Sequence, residues 1–249
     1  DPASIPARRW IYGQHYIRGN VSVLASAGGV GKTSMQIVEA LAICTGRPLL
    51  GEPVHEPCNV WIVNLEDPLE EMQRRVASAM MHYNVTADEI RGKLFLDAGR
   101  DLKMIFAKQD RDGISVDEEM ADYMVAKIKQ NEIGCVFIDP WVGANHINEN
   151  DNVAMNAAVP LVRSIAEETD CGMGLVHHIR KGNGDDATVD SIRGAGSLIG
   201  AARAARVINR VSQEDALKLG VSETEALGIF RVDDGKSNMA PPAAKAVYR

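Results

Sequence analysis

Ala25-Ser26-Ala27-Gly28-Gly29-Val30-Gly31-Lys32-Thr33 is the stretch that decides how the rest of this chain is read. The apolar run Val21-Ser22-Val23-Leu24-Ala25 leads into it as a strand, and a helical pattern over 33–45 follows it. Between a strand and a helix, glycines let the backbone curl so that its N–H groups converge on phosphate oxygens. The helix N-terminus adds a partial positive charge there. Ala27, Gly28, Gly29, Val30, Gly31, Lys32 and Thr33 are therefore the expected ATP-binding loop. In it Lys32 reaches the β- and γ-phosphates and the Thr33 hydroxyl ligates Mg2+. The pattern departs from the usual one at its start, where Ser26 stands in the place of the first glycine.

Short apolar runs alternate with helical patterns on either side. Val60-Trp61-Ile62-Val63-Asn64-Leu65, Cys135-Val136-Phe137-Ile138 and Met173-Gly174-Leu175-Val176 read as further strands. All are apolar on both faces, as strands of a parallel sheet covered by helices must be. Helices are expected over 68–83, in the capping-box segment from Thr86, over 117–131 and over 152–169, the last with Pro160 as a kink or break. The pairs Glu70/Arg74 and Glu71/Arg75 read as a solvated helix face. Residues 179–196 read as a long loop rich in Gly, Asp and Arg. Runs over 204–211 and 227–232 read as shorter strands extending the sheet antiparallel, with a small acidic helix over 212–226. The expected architecture is α/β, in one domain over 1–249.

A phosphate loop needs a second carboxylate at a nearby strand end to orient its metal. Asp139, closing Val136-Phe137-Ile138-Asp139, fits and is expected to share Mg2+ with Thr33. Hydrolysis also needs a group to orient the attacking water. Glu66, in Asn64-Leu65-Glu66-Asp67-Pro68, is the candidate, with Asp67 as competitor or as the cap of the following helix. His177-His178 ends another strand, and His178 is read as a donor that senses the γ-phosphate.

Composition sets the boundaries of these readings. With 249 residues, 45% of them hydrophobic, the chain can bury a full α/β core, and no apolar run is long enough to span a bilayer. The net charge of −7 argues against a broad basic face that coats duplex DNA, though not against a few basic residues in a narrow channel. Cys44, Cys58, Cys135 and Cys171 are scattered without a zinc-like pair and read as reduced thiols of a cytoplasmic protein. Asp1 in place of Met leads us to expect flanking segments beyond both ends.

The ordered set of phosphate loop, Glu66-Asp67-Pro68, Asp139, His177-His178 and a glycine-rich loop resembles the RecA-like ATPases. Within them it is similar to the RepA-type ring helicases of plasmids and their phage and mobile-element relatives, from about residue 15 to 242. Asn148-Glu149-Asn150-Asp151-Asn152, Arg193-Gly194-Ala195-Gly196-Ser197 and Lys236-Ser237-Asn238 carry the likeness further, and that group shares the departure at Ser26. The resemblance implies a homo-hexameric ring with ATP between neighbours and an arginine finger acting in trans. It points to Arg203, with Arg206 close enough to compete, and to Lys236 as a second residue reaching across. Loops over 141–151 and 179–191 would face the channel, where Arg180 and Lys181 would touch single-stranded DNA and Trp141 would either stack on a base or lie in the core. The implied function is ATP hydrolysis driving translocation or unwinding of single-stranded DNA. A RecA-like repair accessory or assembly switch is the second reading, and a small-molecule kinase the third.

Overall fold

The computed structural model describes residues 1–99, 102–111, 113–147, 152–179, 186–188, 196–241 and 246–248. An antiparallel ribbon, β1 (Trp10–Tyr12) and β2 (Tyr16–Ile17), leads into β3 (Val21–Ser26), which is buried at every position. The phosphate-loop segment then turns into α1 (Lys32–Thr45), which starts from left-handed Gly31 and ends on left-handed Gly46. Only glycine adopts such φ values cheaply, so these two residues fix both ends of the helix.

β4 (Asn59–Asn64), α2 (Leu69–Tyr83), α3 (Ala87–Ile90) and β5 (Leu94–Ala98) follow. The Thr86/Glu89 capping box opens α3 as the sequence suggests. A hairpin, β6 (Ala107–Asp110) and β7 (Gly113–Val116), precedes α4 (Glu118–Gln130), whose first turn is capped by Asp117. β8 (Ile133–Asp139) and the short β9 (Asn145–His146) come next, then α5 (Asn152–Thr169), which carries Pro160 within it, and β10 (Gly172–His178). The chain closes with α6 (Gly196–Ala201), β11 (Ala204–Arg210), α7 (Gln213–Leu219), α8 (Glu223–Ala226), β12 (Phe230–Ser237) and β13 (Ala246–Tyr248).

The main sheet has the order β13-β12-β11-β3-β10-β8-β4-β5, and the stretch from β11 to β5 is parallel throughout. Its side chains alternate between two cores. Val63, Val136, Ile138 and Leu175 face α4 and α5 through Met124, Ile128, Val162 and Ile165. Val60, Ile62, Cys135 and Phe137 face α1 and α2 through Ile37, Leu41, Met72 and Val76. Burial on both faces explains why these strands read as unbroken apolar runs. Among the described residues no helix is long and apolar enough to cross a membrane.

Two expectations are corrected. β11 is parallel to β3, and the antiparallel extension begins only at β12. β11 follows a crossover through α6 and so enters the sheet in the same direction as β3. The acidic segment between β11 and β12 forms two helices, because left-handed Gly220 ends α7.

Candidate active site

The parallel strands end on one edge, and their ends carry the residues singled out in the sequence. β10 and β3 stay in register to His178 opposite Ser26, and β8 and β4 to Asp139 opposite Asn64. Two backbone bonds tie the edge together beyond the strands, from Leu65 N–H to the Asp139 carbonyl (2.7 Å) and from Ile179 N–H to the Ser26 carbonyl (2.9 Å).

In the phosphate loop, Gly29 and Gly31 have φ of 73° and 105°, and a Cβ on Gly28 or Gly29 would meet nothing within 4 Å. The loop therefore opens outward from its backbone as a cradle. Lys32 folds over it, and its ammonium donates to the Ser26 carbonyl (3.2 Å), the Ser26 hydroxyl (2.9 Å) and the Ala27 carbonyl (3.0 Å). All three acceptors are neutral oxygens. Ser26 Oγ also donates to the Ala27 carbonyl (2.7 Å), so the residue that departs from the usual glycine ties Lys32 to the foot of the loop.

Thr33 Oγ1 donates to Asp139 Oδ2 at 2.6 Å. A hydroxyl and a carboxylate this close, at the mouth of a phosphate cradle, form the hard oxygen donor pair that Mg2+ requires. The residues present thus fit the metal. Burial pushes the Asp139 carboxyl above its ordinary range, and Glu66 adds to the rise, while the Thr33 hydrogen bond, Lys32 and His178 pull the other way. Burial lowers the Lys32 ammonium, against the pull of Asp139 and Glu66.

Glu66 is exposed, and its Oε1 lies 3.5 Å from His178 Nε2. The turn that presents it is built by Asn64, which sequence reading passed over. The buried Asn64 side chain accepts the backbone N–H groups of Glu66 (3.0 Å) and Asp67 (2.6 Å) through Oδ1, an Asx turn at the strand end. The signal was an asparagine two residues before the acid. Asp67 points elsewhere: its carboxylate meets Arg75 at 2.9 Å, and it makes no cap on α2.

Arg203 and Lys236 lie at the other end of the sheet. Arg203 N–H donates to the Val21 carbonyl at the start of β3, and Lys236 on β12 pairs with Ala205 on β11. From Val21 to Ser26 the strand alone spans about 16 Å, so Arg203 is out of reach of its own phosphate loop. Lys236 donates to the carbonyls of Ile199 (2.7 Å) and Gly200 (3.0 Å), and burial together with Arg203 lowers its ammonium. The competing Arg206 is a core residue. Its guanidinium is 3% exposed and paired with the fully buried Glu39 at 2.8 Å. Trp141 is likewise buried, with its ring 5.7 Å from that of Phe106. Arg180 and Lys181 lie outside the described residues.

A family model described as an AAA domain, AAA_25, matches residues 1–184. The chain belongs to this family. A search of curated proteins finds no match. Among solved structures, the AAA domain is similar to one described as an ATPase domain, with a TM-score of 0.62 at 15% identity, over 92% of this chain and 81% of that one. The likeness carries the fold, which is RecA-like, with its mostly parallel sheet, flanking helices and antiparallel extension. Family membership, together with the glycine loop and Lys32-Thr33 set between β3 and α1, makes this a P-loop ATPase domain.

Proposed function

We propose that this AAA domain hydrolyses ATP as part of a head-to-tail homo-oligomeric ring, a hexamer of the RepA type, and couples hydrolysis to movement along single-stranded DNA. The observation that carries this reading is the separation of Arg203 and Lys236 from their own phosphate loop. Two cations at the far end of the parallel strands, with the loop at the near end, complete a site only when a second copy supplies them.

Within the site each residue has a definite task. The loop amides and Lys32 bind the β- and γ-phosphates, and Thr33 and Asp139 hold Mg2+. When bound, the metal neutralises charge on the phosphate oxygens. Glu66, fixed by Asn64, orients a water and takes its proton as the water oxygen attacks the γ-phosphorus. The bond to the β-γ bridging oxygen breaks, and ADP leaves with its electron pair. His178, in contact with Glu66 and at the head of the 179–196 segment, relays the state of the γ-phosphate to that segment. Arg203 of the next copy neutralises the charge spreading over the transferred phosphoryl group, an effect worth about 10³ to 10⁵ in rate. Arg180 and Lys181 contact the strand in the channel.

The test is steady-state ATP hydrolysis with and without single-stranded DNA, at low and moderate salt, with Lys32→Ala as control. Stimulation by DNA of several-fold that fades with salt is expected. Hydrolysis indifferent to DNA would overturn the motor and leave an ATP-driven assembly switch.

A further inference from the structure

The segment joining β11 to β12 carries more exposed hydrophobic surface than its size warrants. Leu217 is 80% exposed, Leu227 73% and Leu219 46%, three of the eight large hydrophobic side chains so exposed among the described residues. Looseness does not explain this. Ala216 is buried, Ser212 and Ser222 cap their helices, and Arg231 on β12 grips Asp215 on α7 at 3.1 Å. The leucines are presented outward from a fixed platform. Leu217 on α7 and Leu227 just past α8 are the two most exposed of these, with Leu219 at the end of α7 turned to a different side of that helix.

The platform stands beside the phosphate loop. β11 delivers the chain to it at Arg210, whose guanidinium reaches the Gly29 carbonyl at 3.5 Å. β12 takes the chain away at Phe230, whose ring would lie 3.5 Å from a Cβ on Gly31. Its exposed rim is net acidic through Glu223, while Glu214 is paired with Lys218 on the same helix at 2.7 Å. The opposite end of the same strand pair is basic: Arg203 and Lys236 lie there, joined by exposed Arg8, which donates to the Met239 carbonyl. One strand, β11, thus has an acidic, leucine-bearing surface at one end and a basic surface at the other.

We propose that α7 and α8, through Leu217 and Leu227, are the docking face for a second copy of this chain, which seats its Arg203–Lys236 end on them. The proposal rests on the ring reading and specifies which surfaces meet. An end that must bring Arg203 to the neighbour's phosphate loop arrives beside this platform. The charges of the two surfaces are complementary, and contact between unlike surfaces of one chain is the kind that repeats and closes into a ring.

The test is sedimentation velocity across a concentration series, with ATP and Mg2+, on the wild-type chain and the Leu217→Ser/Leu227→Ser and Glu223→Lys variants. All three positions are exposed, so the thermal midpoint should stay at the wild-type value. The double-leucine variant is expected to need at least tenfold higher concentration to assemble, and its hydrolysis per chain should fall in parallel. Glu223→Lys should weaken assembly most at low salt. Assembly of the leucine variant at the wild-type midpoint, with wild type oligomeric, would overturn the docking face and leave the ring reading intact. A wild-type chain that stays monomeric at every concentration would overturn both.

Discussion

Replacing Arg206 with Met separates a residue that builds the core from one that serves catalysis. Arg206 Nη1 lies 2.8 Å from Glu39 Oε1, and Nη2 donates to Tyr16 Oη at 3.0 Å. Tyr16 in turn donates to Glu39 Oε2 at 2.6 Å. The carboxylate is fully buried, its charge balanced by the guanidinium and its second oxygen satisfied by the Tyr16 hydroxyl. Loss of the guanidinium leaves an ionised or newly protonated carboxyl in the core, at a cost of about 3–5 kcal/mol. For a chain of this size each kcal/mol lowers Tm by roughly 2–4 °C, which gives a fall of about 6–20 °C. Removing both charges in Arg206→Met/Glu39→Leu should recover part of that loss, because apolar side chains replace the pair and only the neutral Tyr16 hydroxyl is left without its two partners. Circular dichroism melts of the single and double variants, with ATPase rates measured well below the lower Tm, read both effects. The folded fraction of Arg206→Met should hydrolyse ATP at near the wild-type rate. A drop in Tm of less than about 2 °C, under 1 kcal/mol on the same scale, together with lost hydrolysis, would refute the reasoning and make Arg206 the trans-acting residue.

Arg203→Ala is the converse case: Tm and nucleotide affinity should be unchanged while kcat falls by about 10³ or more, with no loss if the residue is only a surface cation. Asn64→Ala removes the side chain that fixes the Glu66 turn, and a misplacement of about 1 Å there costs on the order of 10²-fold in kcat, with nucleotide affinity retained as the check. Asp139→Asn should abolish Mg2+-dependent hydrolysis while raising the thermal stability of the nucleotide-free protein by about 0.5–2 kcal/mol. The sign follows from burial, which holds the folded-state pKa of Asp139 above its ordinary value of 3.8. Its contribution to stability is therefore present while the carboxyl is protonated and is lost as pH rises through the folded pKa, leaving a penalty at neutral pH that Asn does not carry. For the same reason Mg2+-nucleotide affinity, followed by calorimetry, should weaken on acidification while the pH is still above 3.8, and this acid-side loss should be absent from Asp139→Asn.

Much of the parallel sheet was legible because its strands are buried on both faces. Val21-Ser22-Val23-Leu24-Ala25 and Cys135-Val136-Phe137-Ile138 can be nothing but interior, and the glycines at 29 and 31 leave the backbone one inexpensive way to turn between strand and helix. The identities of Lys32, Thr33, Glu66, Asp139 and His178 followed, since strands of one parallel sheet deliver their ends to one edge. The sequence by itself therefore determined the fold class, the phosphate loop and which side chains could meet there.

Only the tertiary structure decided how they meet and which neighbours are excluded. The expected strand ends at 232, yet β12 runs on through Asp233 and Asp234 to Ser237, with Arg231 paired to Asp233. Asn64 resembles any strand-end asparagine until its carbonyl is seen holding the Glu66 turn. Arg203 and Arg206 stand three residues apart at the start of one strand and are equivalent in sequence. Yet Arg206 is sealed against Glu39, and Arg203 stands at the far edge with no side-chain partner among the described residues. Local pattern records what a residue can do. Whether its charge is spent in the core or left for a neighbour depends on contacts between positions far apart in the chain, such as 39 and 206, and those exist only once the sheet and α1 have packed.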